Sequence, residues 1–273
     1  MNNRLKKTTS LGIFINVLFL VFFTQTVKAS NTAFERINNS GMLIVGMSGE
    51  QPPFNFVSNA QTVIGYDMDL ADALSKSLGV KVRIELMPFS QLMDALKQNN
   101  IDVIISGFAF SEARNKALTF IGPYALSGKS LVITKKRLKE IQASTGLNHE
   151  SVHLMALQNS TSKTLAEKRL SKAKLTPIKH YEDAILALRA RDADALVADL
   201  AICELAVIRD SLQELTTLQK PLAIEEINMA INNNEPLLGT RLSEELQRLN
   251  DDGTLKALHK KWFNDPGWLA LLP

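Results

Sequence analysis

Twice along the chain, short apolar runs alternate with helical segments, and this repeated β-α-β-α-β order is what most limits the folds open to it. Met42 to Val45 is a short apolar strand. Gly65 to Leu78 places Leu70, Leu74 and Leu78 on one helical face, with Asp67 and Asp69 at the positive end of the helix dipole and Gly79 as its stop. Val80, Val82, Ile84 and Leu86 alternate with Lys81, Arg83 and Glu85, the pattern of a half-buried strand. Phe89 to Gln98 reads as a second helix. Ile101 to Ile105, bounded by Asn99-Asn100 and Gly107, is too short for a helix and reads as a buried strand. Such an order calls for a parallel sheet with right-handed crossovers.

The second unit repeats the order. Val152 to Leu157 is a strand, and the turn that follows offers Ser160 or Thr161 as cap for a helix through Leu170. A strand at Leu175–Lys179, a helix at Glu182–Ala190, a strand at Ala193–Ala198 ending at Asp199 and a helix at Ala201–Arg209 complete it. Strand-like passages near Tyr124–Ser130 and Leu222–Asn228 join the units, so two crossings put a hinge between lobes and a cleft at their interface. Lys135 to Ser151 reads as a polar, irregular excursion. Helices at Glu235–Asn250 and Gly253–Phe263 have no strand of their own and must pack on an existing unit.

Loops at strand ends carry the chemistry. Ser106, Gly107 and Ala109 are small enough for a backbone to approach a ligand closely. Ser111 is a good N-cap for a short helix starting near Glu112. Arg114 then falls in its first turn, where a cation has the wrong sign for the dipole. An anion past the strand's carboxyl end would account for it, and a surface Arg paired with Glu112 is the plainer reading. Loops Glu50–Phe54, Ser106–Arg114 and Gln158–Ser162 converge in this arrangement, with Ser48 and Gln51 on the first. The Arg fork takes a carboxylate bidentately and Asp199 takes an ammonium, so the pocket suits a small zwitterion. Phe54 and Phe89 would add apolar or cation–π contact, against core packing; helix capping is the competing role for Asp199.

Enzyme motifs are poor. No dinucleotide or phosphate-binding loop occurs, Gly46-Met47-Ser48-Gly49 is followed by Glu50 rather than completing a nucleophile elbow, and the four histidines lack metal-ligand spacing. Asp67 and Asp69, two apart on a helix, point apart. No cofactor is expected. Arg4, Lys6 and Lys7 precede an apolar run from Leu11 to Phe23 and a cleavage site at Val27-Lys28-Ala29, a signal peptide too short to span a membrane. Its removal takes four of the 31 basic residues and none of the 28 acidic ones, turning a formal charge of +3 into −1. Nucleic-acid binding thereby loses its support. Cys203 reads as a small core hydrophobe.

QPPFNF (51–56), GYDMDLADALS (65–75), the stretch from Ile101 to Tyr124 and DDGTLKALHKKWF (251–263) together resemble the bacterial extracytoplasmic solute-binding proteins, family 3, of polar amino-acid ABC importers. The resemblance implies an α/β, two-lobed periplasmic-binding-protein fold (type II), each lobe a mixed, mainly parallel sheet flanked by helices. Residues 1–29 would be the signal peptide, 30–126 with 228–273 lobe 1, and 127–227 lobe 2. It implies Arg114 on the ligand α-carboxylate, Asp199 on the α-amino group, Ser111 near the Arg, the Thr161 backbone N–H on the carboxylate from the second lobe, and Phe89 beside the ligand side chain. Gln51 departs from an aromatic, Ala109 from a Ser or Thr, Asn159 from a common Gly, and Ser48 from an acid of basic- and glutamine-binding members; Glu50 is a candidate replacement. The expected partners are an amino acid and an inner-membrane permease, for a monomeric periplasmic protein. A cyclohexadienyl-type dehydratase and a sensor module for a membrane kinase are the rival readings.

Overall fold

One strand, Leu118–Thr134, runs the length of the molecule, and Ala223–Asn232 returns antiparallel along it with a register break between Ile227 and Met229. The computed structural model describes residues 32–273; the signal peptide read at 1–29 lies outside the described residues. Everything else hangs on this pair. On one side Ala223–Asn232 adjoins Val103–Ile104, then Met42–Met47, then Lys81–Leu86; on the other Leu118–Thr134 adjoins Ala195–Asp199, then His153–Leu157, then Lys174–Ile178. Met42–Met47 is parallel to both of its neighbours, and His153–Leu157 is parallel to both of its own. Each expected β-α-β-α-β unit is thus a parallel group joined to the common strand pair by an antiparallel edge, which defines a first and a second lobe.

Both faces of each group are covered by helices. In the first lobe Leu43, Val45 and Met47 pack with Leu70 and Leu74 of helix Tyr66–Leu78 and with Leu238, Leu242 and Leu246 of helix Pro236–Asp251. The C-terminal helices therefore complete the first lobe, as their lack of strands requires. On the opposite face Leu92 and Leu96 cover Ile101, Ile104 and Phe108. In the second lobe Leu131, Leu154 and Val197 pack with Leu165, while Val132 and Leu196 pack with Ala184, Leu188 and Cys203. Each fully buried Leu contributes about 1.5–3 kcal/mol.

Four elements differ from the sequence reading. Lys135–Ala143 is a helix rather than an irregular excursion: Thr134 Oγ1 accepts from the Arg137 N–H at 3.2 Å, and Leu138 and Ile141 turn inward beneath a polar surface. The strand at Ile101–Ile105 shrinks to Val103–Ile104: the Asp102 N–H still donates to Ile44 O at 2.8 Å, but the Ile44 N–H goes to the Asp102 side chain, Oδ2 accepting at 2.8 Å, while Oδ1 meets Arg36. The loop after Met47 contains strands Glu50–Gln51 and Asn55–Val57, which form a small antiparallel sheet with Val63–Ile64. Leu215–Thr217 adds an unforeseen edge strand to Leu118–Thr134.

Candidate functional site

The first lobe presents Arg114 through a turn shaped by its neighbours. Gly107 adopts φ +54°, and its N–H donates to Asp67 Oδ2 at 2.7 Å. A Cβ there would come within 2.5 Å of Gln51 Oε1, so only glycine fits without strain. Asp67 is fully buried and also accepts from Asn55 Nδ2 and the Tyr124 hydroxyl, each at 2.7 Å. Burial pushes its pKa up to about 6, with those three bonds pulling the other way. Asp69 points elsewhere, to Lys261 and the Trp262 indole, so the two carboxylates do diverge.

Ser111 caps the short helix Glu112–Asn115, its Oγ accepting from the Arg114 N–H at 3.3 Å. The Arg114 side chain is buried. Its Nη1 donates to Ala109 O at 2.7 Å and its Nη2 crosses to Asn159 O of the second lobe at 2.6 Å. A surface pairing with Glu112 is therefore not what the structure contains. The guanidinium carbon lies 4.0 Å from the centre of the Phe108 ring and 5.7 Å from that of Phe89. Burial lowers the Arg114 pKa to about 10, opposed by Glu225 and then Asp199, so the group stays cationic at neutral pH. Of its five N–H donors, those not spent on the two carbonyls are free for an anion.

The second lobe answers with carboxylates. Asp199 stands just before helix Leu200–Ile208 but makes no capping bond to it, so capping is not its role. Its Oδ1 accepts from Lys129 Nζ at 2.8 Å and from Ser127 Oγ at 3.1 Å. Lys129 is only 2% exposed and lies 3.4 Å from Glu225 Oε2, which in turn accepts from Thr161 Oγ1 at 2.6 Å. Ser160 caps helix Thr161–Arg169, and two residues on, Ser162 Oγ is buried with no hydrogen-bond partner among the described residues. Asn159 has φ +59°, a left-handed conformation tolerated by Asn and Gly, which accounts for the exchange between them there.

Arg114 thus has Ala109, Ser111 and Phe89 around it and Thr161 on the wall of the same cavity, Asp199 is tied to this group through Lys129 and Glu225, and Gly107 and Gln51 adjoin each other. Gln51 lies near the buried Tyr181 hydroxyl, whose pKa burial pushes well up. The remaining candidates face other ways. Ser48 Oγ is engaged with Asn55 Oδ1 at 3.1 Å within its own turn. Glu50 sits at the exposed edge on His180 Nδ1 at 2.8 Å. Phe54 belongs to the core, edge-on to Phe263 at 5.2 Å. Sequence reasoning missed Phe108, Ser127, Lys129 and Glu225. A lysine within the apolar passage before Leu131 was the available signal. Beside Arg114 opens a cavity of about 360 Å³ lined by Ser90, Met93, Ser111, Asn159 and Thr161. A larger hollow of about 580 Å³, lined mainly by apolar groups such as Phe56, Ile185 and Leu205, touches neither Arg114 nor Asp199, so size does not choose the site. No group of three potential metal ligands occurs among the described residues, and no described helix is long and apolar enough to cross a membrane.

Two lobes on a shared strand pair, with charged side chains meeting between them, define a two-lobed binding protein of the type II periplasmic fold. Its residues 43–265 match the model of the bacterial extracellular solute-binding proteins, family 3, and the chain belongs to that family. It is 24% identical over 246 residues to the L-cystine-binding protein TcyJ of Escherichia coli (strain K12), covering 86% of this chain and 87% of that one. It is 25% identical over 251 residues to the arginine-binding extracellular protein ArtP of Bacillus subtilis (strain 168), covering 89% and 94%. Among solved structures, the ancestral amino acid-binding protein AncCDT-1, described as a precursor of cyclohexadienyl dehydratase, superposes with a TM-score of 0.76 at 27% identity over 85% of this chain and 99% of that one.

Proposed function

We propose that this chain is the extracytoplasmic amino-acid receptor of an ABC importer, closing its lobes on the zwitterionic head of its ligand and presenting the closed form to a permease. The observation that carries this reading is the buried Arg114 guanidinium, which bonds across the cleft to Asn159 and lies in the field of Glu225 and Asp199. Arg114 takes the ligand carboxylate with its remaining donors. The first N–H groups of helix Thr161–Arg169 and the Ser162 hydroxyl, unpartnered among the described residues, meet the same carboxylate from the second lobe. Asp199 takes the ammonium with the oxygen that Lys129 leaves free. The aromatic rings of Phe89 and Phe108 hold the guanidinium flat. In this reading lobe 1 comprises residues 30–126 and 228–273 and lobe 2 residues 127–227, the protein acts as a monomer in the periplasm, and the segment through Ala29 is removed on export. Family membership, and relatives named for binding amino acids, support the ligand class.

A catalytic role on this scaffold would need an acid or base aimed at the ligand, and Glu50, read as the free cleft carboxylate, is drawn to His180 instead. A thermal-shift screen of the twenty amino acids with ornithine, citrulline and cystine tests the receptor reading, because a ligand that binds only the folded state raises its apparent stability. A concentration-dependent rise with one amino acid or a small set is expected. No rise with any of them removes the reading.

A further inference from the structure

Four ionic side chains converge on the proposed site, and they cancel. Arg114 and Lys129 supply two positive charges, Asp199 and Glu225 two negative ones. We propose that Lys129 sets the charge class of the ligand, making the site select amino acids of no net charge and reject cationic ones. This rests on the amino-acid-receptor reading above and goes one step beyond it.

The physical basis lies in how Lys129 is held. Its ammonium is 2.8 Å from Asp199 and 3.4 Å from Glu225, and the side chain is 2% exposed, so it cannot swing into water to make room for another cation. It sits on Leu118–Thr134 with the strand of Asp199 on one side and the strand of Glu225 on the other, register partners Asp199 and Ala223 fixing its place. One carboxylate's worth of negative charge is thereby neutralised from within. What remains is a single positive and a single negative charge for a zwitterionic head. A ligand side chain bearing a further positive charge finds no uncompensated acid, and it meets Lys129 in a site where burial weakens dielectric screening. With Lys129 neutral, the same site would carry one surplus negative charge and favour lysine, arginine or ornithine. Selectivity here is thus built by a repulsive element as well as by attractive ones. The pairing itself is long-range: Lys129 and Asp199 are separated by 70 positions.

Calorimetric titration of the mature chain at pH 7.5 with glutamine, methionine and cystine, and with arginine, lysine and ornithine, measures the discrimination. The wild type is expected to bind its best neutral amino acid at least tenfold more tightly than any of the three cations. Lys129→Met should shift that ratio by tenfold or more toward the cations, and Lys129→Met with Glu225→Gln, which restores zero net charge, should return it. Glu225→Gln alone leaves one positive charge in excess and should widen the discrimination against cations, a result that stands even if Lys129→Met melts too low to titrate. A wild type that prefers a cation, or a discrimination unmoved by both single changes, overturns the proposal. Failure of the underlying receptor reading looks different: no amino acid of either class binds the wild type.

Discussion

Arg114 Nη2 in the first lobe donates to the carbonyl oxygen of Asn159 in the second at 2.6 Å, and the same residue, Asn159, returns a bond from Nδ2 to Ser90 O at 3.0 Å. With Gln158 Nε2 donating to Ser90 Oγ at 2.9 Å, the cleft has a seam of its own that needs no ligand atom. Ligand contacts and seam contacts then add to the same closing equilibrium.

Ser90→Ala removes one seam bond at the wall of the cavity beside Arg114 and leaves every charged group of the site in place. It should weaken amino-acid binding by about 0.5–1.5 kcal/mol, a few-fold to tenfold in Kd, by biasing the lobes apart. Calorimetry reads the affinity and small-angle scattering the mean separation of the lobes; unchanged affinity would mean the seam plays no part in closure.

Asp67 links stability to pH. Its folded-state pKa, about 6, is raised above the usual 3.8, so the folded form holds the proton more tightly than the unfolded chain. That contribution is fully present below about pH 4 and is lost as pH rises through 6. At about 1.36 kcal/mol per pKa unit the loss amounts to about 3 kcal/mol. Urea unfolding of wild type and Asp67→Asn across pH 3.5–7 should converge or diverge by that amount, the wild type losing ground relative to the variant as pH rises. Parallel pH profiles would show that Asp67 does not titrate in this window.

Gly65 precedes helix Tyr66–Leu78 with φ +135°, and a Cβ there would lie 2.3 Å from the Phe54 carbonyl oxygen, which is backbone and cannot turn aside. Gly65→Ala should cost about 2–4 kcal/mol of stability. The loop carrying Gln51 and Phe54 would be displaced with it. Thermal melting checks this, and a variant as stable as wild type would show that the loop yields freely.

Local physics was legible in the sequence, and long-range pairing was not. Ser111 as a cap and Arg114 against the helix dipole are two statements about neighbours, and both led to a buried, cleft-facing guanidinium. The leucine spacing from Leu70 to Leu78 and the Gly79 stop are equally local, and helix Tyr66–Leu78 ends there with Gly79 at φ +71°. Cys203 is buried among apolar groups, and burial pushes its thiol pKa well up, in keeping with a core role. By contrast, Asp199 meets Lys129 only because two strands pair antiparallel, and Glu225 joins them only because the return strand lies on the other side. Helix Lys135–Ala143 was hidden for another reason: among its nine residues only Ile141 is fully buried, so almost no apolar period shows.

The central claim is that a ligand carboxylate sits on Arg114 between the lobes. Calorimetric titration of wild type and Arg114→Ala with the amino acid that most raises the melting temperature tests it most directly. Loss of about 2–4 kcal/mol of binding, from a carboxylate left buried without its partner, is the result this account predicts. Equal affinity in the two proteins, with both folded, would contradict it.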